Sequence, residues 1–255
     1  MPETHGCEKG RRSLRVELIA YTPEPEKIVA AAARICYSQK GAGELMENMG
    51  DEEIERLIGL LLSSGHESPV EHVTFTFAIE GVSRALSHQL VRHRIASYSQ
   101  RSQRYVSEEN FSYIVPPTIN KEPEALKVFE DCLSQIKEAY ARLIKLVPRE
   151  DARYILPQAC ETKLVCTFNA RSLFNFFRLR CCSRAQWEIR ELAFKMRDAV
   201  RQVAPRLFAK AGPNCEILGI CYEGPFSCGR APVIKSRAEA GVEEYRGRRD
   251  LWEKS

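Results

Sequence analysis

Arg92-His93-Arg94-Ile95-Ala96-Ser97-Tyr98-Ser99-Gln100-Arg101-Ser102-Gln103-Arg104-Tyr105 gathers four arginines, one histidine, three serines, two glutamines and two tyrosines into fourteen residues. Planar cations beside neutral donors suit a phosphorylated, planar ligand, because a guanidinium presents its N–H groups as a fork that matches phosphate oxygens. The run contains no assembled nucleophile and no pair of acids. Composition alone leaves two other readings open, a solvated basic face and a nucleic-acid patch.

Upstream of it, Ser83 can cap a helix running to about Arg94, with Val82, Ala85, Leu86 and Leu90 on the apolar side and Gln89 and His93 beside that stripe. A histidine so placed is also a plain core histidine bonded to a backbone carbonyl. Before this helix, Val73, Phe75, Phe77 and Ile79 alternate with Thr74, Thr76 and Ala78, which predicts a strand with His66 to His72 as the loop leading in. Asp51-Glu52-Glu53 opens a helix carrying Ile54, Leu57, Ile58, Leu61 and Leu62 and ending at Gly65, while Gly41 to Gly50 reads as a loop. The period-two pattern from Ser13 to Tyr21 predicts a strand. Thr22-Pro23 then supplies a cap and a first-turn proline for an alanine-rich helix through Cys36.

Downstream, Leu126, Phe129, Leu133, Ile136, Tyr140, Leu143 and Val147 mark a long amphipathic helix, read as scaffold or subunit interface. A further helical turn or two from Arg149 to Leu156 carries Arg153 near its end, and Thr162 to Phe168 is strand-like. Asn169 caps a helix with Arg171, Asn175 and Arg178 on one side and Leu173, Phe176 and Phe177 on the other, where Arg180 falls next in line. A cation on such a face needs an acceptor, because burying a bare guanidinium is prohibitive. That acceptor could equally be the partner in a structural salt bridge. Ser183-Arg184-Ala185-Gln186 has the form of a capping box opening a helix to about Val203. After Gly212, Cys215, Cys221 and Cys228 stand in a loop-rich tail at spacings that fit no common zinc template, and the charged run Glu239 to Ser255 is expected to be mobile.

The chain has 255 residues, 44% of them hydrophobic, and a net charge of +4, enough for a sizeable core and too little basicity to single out nucleic acid or membrane as partner. No apolar run is long enough to span a bilayer, and Met1 to Arg12 lacks the apolar stretch of a secretory signal, so a cytoplasmic protein is expected. Its ten cysteines are then expected to be reduced and mostly structural, with no metal site. No Gly-x-Gly-x-x-Gly and no Walker sequence occurs, so a dinucleotide would have to be held by a route other than a Rossmann turn.

Arg92-His93-Arg94, seven residues and then Ser102 resembles the signature of the flavin-dependent thymidylate synthases. Gly65-His66-Glu67-Ser68-Pro69-Val70-Glu71-His72 is similar to that family's His-Glu-(Ser/Thr)-Pro-x-Glu-His segment. Asn169-Ala170-Arg171-Ser172-Leu173-x-Asn175-Phe176 and Ala185-Gln186-Trp187-Glu188-Ile189 resemble its later blocks. The resemblance spans roughly Val16 to Phe208. It implies an α/β (α+β) fold, a mixed sheet packed with long helices, with residues 1–212 as the synthase domain and residues 213–255 as a cysteine-containing extension.

The resemblance further implies reductive methylation of dUMP to dTMP, with 5,10-methylenetetrahydrofolate as carbon donor, FAD reduced by NADPH as hydride source, and a homotetramer with sites between subunits. Carried onto this chain, it assigns FAD binding to His66, Ser68, Arg92, His93, Arg94, Gln100, Asn169, Ala170, Arg171 and Asn175. It assigns the nucleotide to Gln89, Leu90, Val91, Arg92, Gln100, Arg101, Ser102, Gln103, Arg104, Arg153 and Arg180, with Arg180 activating the uracil ring. Ser102 is read as a binding group, since no base that could activate it is identifiable. Gln100 stands where some relatives have glutamate, which removes any acid-base role. A flavin-free thymidylate synthase would need a cysteine nucleophile in its own motif, and Pro157-Gln158-Ala159-Cys160 does not resemble that setting.

Overall fold

A computed structural model describes residues 13–233. The elements are β1 (Arg15–Tyr21), α1 (Pro25–Arg34), α2 (Ala42–Asn48), α3 (Asp51–Ser64), β2 (Thr74–Ser83), α4 (Arg84–Leu90), β3 (Ala96–Gln100), α5 (Pro117–Lys121), α6 (Pro123–Leu143), α7 (Arg149–Ala152), β4 (Glu161–Asn169), α8 (Ala170–Arg180), α9 (Trp187–Val203) and α10 (Asn214–Ile217). The strands form one four-stranded sheet in the order β1-β2-β4-β3. The α+β class is as expected, but the sheet is antiparallel throughout and not mixed. On β2, Phe75, Phe77 and Ile79 are fully buried, so the alternation seen in the sequence marks the face turned into the core. Gly81 is required on this strand: at φ +68 a Cβ there would lie 2.1 Å from the carbonyl oxygen of Ser13.

The described residues divide into two units, one of residues 13–16, 78–94 and 98–166, the other of residues 17–77, 95–97 and 167–233. The first has a core of Phe111, Leu133 and Cys160 with Tyr113, Phe129, Ile136 and Leu156 packed on it. Only part of the long helix α6 is buried, at Leu133 and Tyr140. The second unit is built round aromatic rings, where Phe208 meets Phe75, Phe174 and Phe177 with centroids 5.2 to 6.2 Å apart. Rings at this spacing stabilise by edge contacts beyond the area they bury.

Several boundaries differ from the sequence reading. The stretch read as a loop from Gly41 to Gly50 contains α2, whose buried side chain is Leu45. A single buried position gives no period to detect. α1 begins at Pro25, not at Pro23, and its cap is Glu24 in the left-handed region at φ 46. α4 stops at Leu90, so Arg92 to Arg94 lie in the turn that follows it and not on the helix. The expected capping box at Ser183 gives way to Gln186, whose side chain accepts from the amides of Glu188 and Ile189 at 3.0 and 3.2 Å. The other caps are as read: Ser83 accepts from Leu86 N at 3.0 Å and Asn169 from Ser172 N at 2.8 Å.

Among the described residues no helix is long and apolar enough to cross a membrane, and no three His, Cys, Asp or Glu side chains stand where they could hold a metal ion. Cys215, Cys221 and Cys228 line one pocket together with Cys182, and all four are free thiols. The run Glu239 to Ser255 lies outside the described residues.

Candidate active site

In the first unit the turn after α4 is pinned from β3. Tyr98 Oη donates to the carbonyls of Leu90 at 3.0 Å and His93 at 2.8 Å. The strand thereby sets the course of Val91, Arg92, His93 and Arg94, and Arg92 and Arg94 are exposed with no ion pair among the described residues. Burial raises the Tyr98 phenol above its usual range, so it stays protonated and available as the donor. Gln100, at the end of β3, donates through Nε2 to Thr162 Oγ1 at 3.1 Å on β4.

The residues after β3 divide by partner. Arg101 donates to the carbonyl of Glu161 at 2.7 Å and forms ion pairs at 3.2 Å with the buried carboxylates of Glu108 and Glu161. Glu108 is pushed above the usual carboxylate range by burial, with the Arg101 cation opposing that shift. Ser102 Oγ accepts from Arg104 N at 3.2 Å and so shapes the turn. Arg104 is exposed and paired with Glu150 at 2.7 Å. Arg153 donates from Nε to the carbonyl of the same Glu150 at 3.1 Å.

A cleft of about 320 Å³ opens in this unit, lined by Arg84, His88, Gln103, Arg153, Leu156 and Pro157 among others. It brings Gln103 and Arg153, both expected at the nucleotide, to one place. It adds Arg84 and His88, which sequence reasoning passed over. Arg84 was simply a polar residue following a cap. Gln89 is half-buried on the next stretch of α4, and Leu90 is in the core.

The second unit brings together another group of expected residues. Arg171, in the first turn of α8, pairs through Nε with Glu67 at 3.1 Å and through Nη1 with Glu71. The His66 to His72 segment is thereby tied to α8, and the backbone N–H of Ala170 donates to the carbonyl of Val73 at 3.0 Å. His66 and Ser68 are exposed on this loop. Asn169 is occupied as the helix cap, and Asn175 Oδ1 accepts from Arg178 at 2.8 Å. At the end of α8, Arg180 is half-buried, and loss of water lowers its pKa.

Chemically, these residues offer cations, amides and hydroxyls in quantity. Cys160 and Cys166 are pushed up to about 12 by burial and are inert as thiolates near neutral pH. Such an arrangement recognises anions and polarises carbonyls; its chemistry of bond making must come from what it binds.

The pattern of the family described as thymidylate synthase complementing protein matches residues 17–206. The chain is 49% identical over 239 residues to the flavin-dependent thymidylate synthase of Clostridium tetani, covering 87% of this chain and 96% of that protein. It is 48% identical over 225 residues to the protein of the same name from Geobacter sulfurreducens, covering 87% and 97%. The archaeal counterpart from Sulfolobus acidocaldarius is 48% identical over 208 residues, covering 80% and 79%.

Proposed function

We propose, from the premise that this chain belongs to the flavin-dependent thymidylate synthase family, that it converts dUMP to dTMP with 5,10-methylenetetrahydrofolate as carbon donor and FAD reduced by NADPH as hydride source, releasing tetrahydrofolate. The observation that carries the reading is the cleft of Arg84, Gln103 and Arg153, which suits a phosphorylated substrate, in a chain that is 49% identical to a flavin-dependent thymidylate synthase over 87% of its length. Residues 1–212 form the synthase domain in this reading, residues 213–255 are an extension, and the active assembly is a homotetramer.

FAD fits the donor set. Arg92 and Arg94 stand exposed without acid partners on a turn fixed by Tyr98, as a pyrophosphate requires. They and His93 would hold the dinucleotide, with His66, Ser68, Gln100, Asn169, Ala170, Arg171 and Asn175 as further contacts. When bound, the flavin supplies the hydride transfer that no side chain can perform. The protein's own part is recognition and polarisation. Gln89, Leu90, Val91, Arg92, Gln100, Arg101, Ser102, Gln103, Arg104 and Arg153 surround the nucleotide. Arg180, a desolvated guanidinium, would stabilise negative charge on the uracil ring as it becomes nucleophilic.

The test is direct. Purified protein should be yellow, and with NADPH, methylenetetrahydrofolate and dUMP it should release dTMP and tetrahydrofolate. Colourless protein that stays inactive with added FAD, or release of dihydrofolate, would contradict the reading.

A further inference from the structure

Four of the nine cysteines among the described residues, Cys182, Cys215, Cys221 and Cys228, line one pocket of the second unit, and all are free thiols. None of the residues assigned above to FAD or to the nucleotide lines it. Its free space is about 30 Å³, room for one or two molecules of the size of water. Among the described residues no three His, Cys, Asp or Glu side chains converge as metal ligands, so the chemistry this cluster offers is that of the thiols themselves.

The four are not equivalent. Cys221 is buried, Cys182 and Cys215 are half-buried, and Cys228 is exposed. Burial raises the Cys215 thiol above its usual range, and negative charge on Glu216, Cys182 or Cys228 raises it further, which places the last two sulfurs within electrostatic reach of it. Cys228 moves the other way. The Ser183 hydroxyl and the backbone N–H groups of Arg230 and of Cys228 itself direct hydrogen bonds at its sulfur, and the Arg230 cation adds to them, all favouring the thiolate.

The backbone presents Cys228 at a bend. Cys221 N donates to the carbonyl of Pro232 at 2.8 Å and closes the ends of the loop. Gly229 takes the left-handed region at φ +80 beside Cys228, with its N–H donating to Ser227 Oγ at 3.2 Å. Arg230 pairs at 3.7 Å with Glu216, the neighbour of Cys215, so one ion pair draws the two cysteine segments together. Arg184 adds a pair to Glu223 at 3.8 Å and lies over the Phe226 ring at 4.5 Å. Exposed contacts of this kind contribute little each, so the loop is kept near Cys215 without being locked there.

We infer that Cys228 and Cys215 form a peroxide-reactive dithiol, with Cys228 as the attacking thiol and Cys215 as the resolving one. The Cys228 thiolate attacks one oxygen of a hydroperoxide such as hydrogen peroxide; the O–O bond breaks, an S–O bond forms, and the departing hydroxide takes up a proton as water. The Cys215 sulfur then attacks the sulfenic sulfur. The S–O bond breaks, the S–S bond forms, and the Cys215 proton leaves with the hydroxide as a second water. In sum two thiols and one hydrogen peroxide give one disulfide and two waters.

The experiment takes the full-length protein, reduced and freed of reductant, through graded hydrogen peroxide, alkylation and peptide mass spectrometry. A Cys215–Cys228 linkage that dithiothreitol reverses is expected, and before peroxide Cys228 should alkylate at pH 7 about threefold to tenfold faster than the exposed Cys132. Cys228→Ser should leave Cys215 as a thiol under the same treatment. Cys215→Ser should leave Cys228 as a sulfenic acid that a cyclic 1,3-diketone traps. Arg230→Gln, which spares both thiols, should slow the reaction of Cys228. Flavin absorbance and thermal unfolding show that each variant is folded. The inference is overturned if Cys228 reacts no faster than Cys132, if peroxide leaves both thiols reduced, or if Cys228 pairs with a cysteine other than Cys215.

Discussion

The Arg84 cleft and the Arg171 loop use the same cation at the start of a helix, yet the fold treats the two oppositely. Arg171 is met by Glu67 and Glu71 from the segment packed on α8, so its charge is answered by the protein's own carboxylates at the surface. Arg84 is half-buried and makes no ion pair among the described residues, with Glu108 acting on it only at a distance. The difference shows that an arginine's role is decided by which carboxylates the fold brings to it. A cation without one is a standing demand for an anionic ligand.

The largest effect should come from Arg180, a second desolvated arginine, at the C-terminal end of α8. Arg180→Lys is expected to retain FAD and NADPH-driven flavin reduction and to lose about a hundredfold or more in thymidylate formation, the scale of one transition-state donor. Separate assays of flavin reduction and of dTMP check this; full activity would make Arg180 a structural cation. The comparison itself can be broken next by giving Arg84 the acid it lacks. Gln158→Glu places a carboxylate in the cleft and should weaken dUMP binding about tenfold, seen by titration, with less loss at high salt.

A smaller effect is expected at Tyr98, which holds the turn after α4. Tyr98→Phe removes two hydrogen bonds and should cost about 1 to 3 kcal/mol, read from urea unfolding. Because burial raises the phenol's pKa in the folded protein, its contribution is present below pH ~10 and lost as pH rises beyond that value. The gap between wild type and variant should therefore narrow in strong alkali. Smallest is the reverse manoeuvre in the second unit. Glu67→Gln with Glu71→Gln frees the exposed Arg171 and should shift FAD affinity only roughly twofold to fivefold, since surface pairs are weakly coupled. A larger shift measured by flavin titration would place those pairs in control of the cofactor site.

The sequence by itself determined what is local or strongly periodic. Ser83 and Asn169 cap their helices because a short oxygen-bearing side chain can reach an amide three residues on. The β2 alternation and the run of α6 follow from burying one face of a regular element. The four family blocks named the chemistry, since each is a contiguous string. Where local signals compete or are short, the reading slipped: α2 buries only Leu45, and Gln186 displaced Ser183 as a cap because its amide reaches two backbone donors.

Only the tertiary structure decided which cations are available. Arg84, Arg101, Arg104 and Arg171 are alike as letters. They are distinguished by Glu150, Glu161, Glu67 and Glu71, acids far along the chain with which three of them form ion pairs and Arg84 forms none among the described residues. The same long-range packing brings Arg153 and Gln103 to Arg84 and leaves one buried amide donor unmatched. Charge pairing depends on distances of a few ångströms between segments remote in sequence, and no pattern within either segment encodes them.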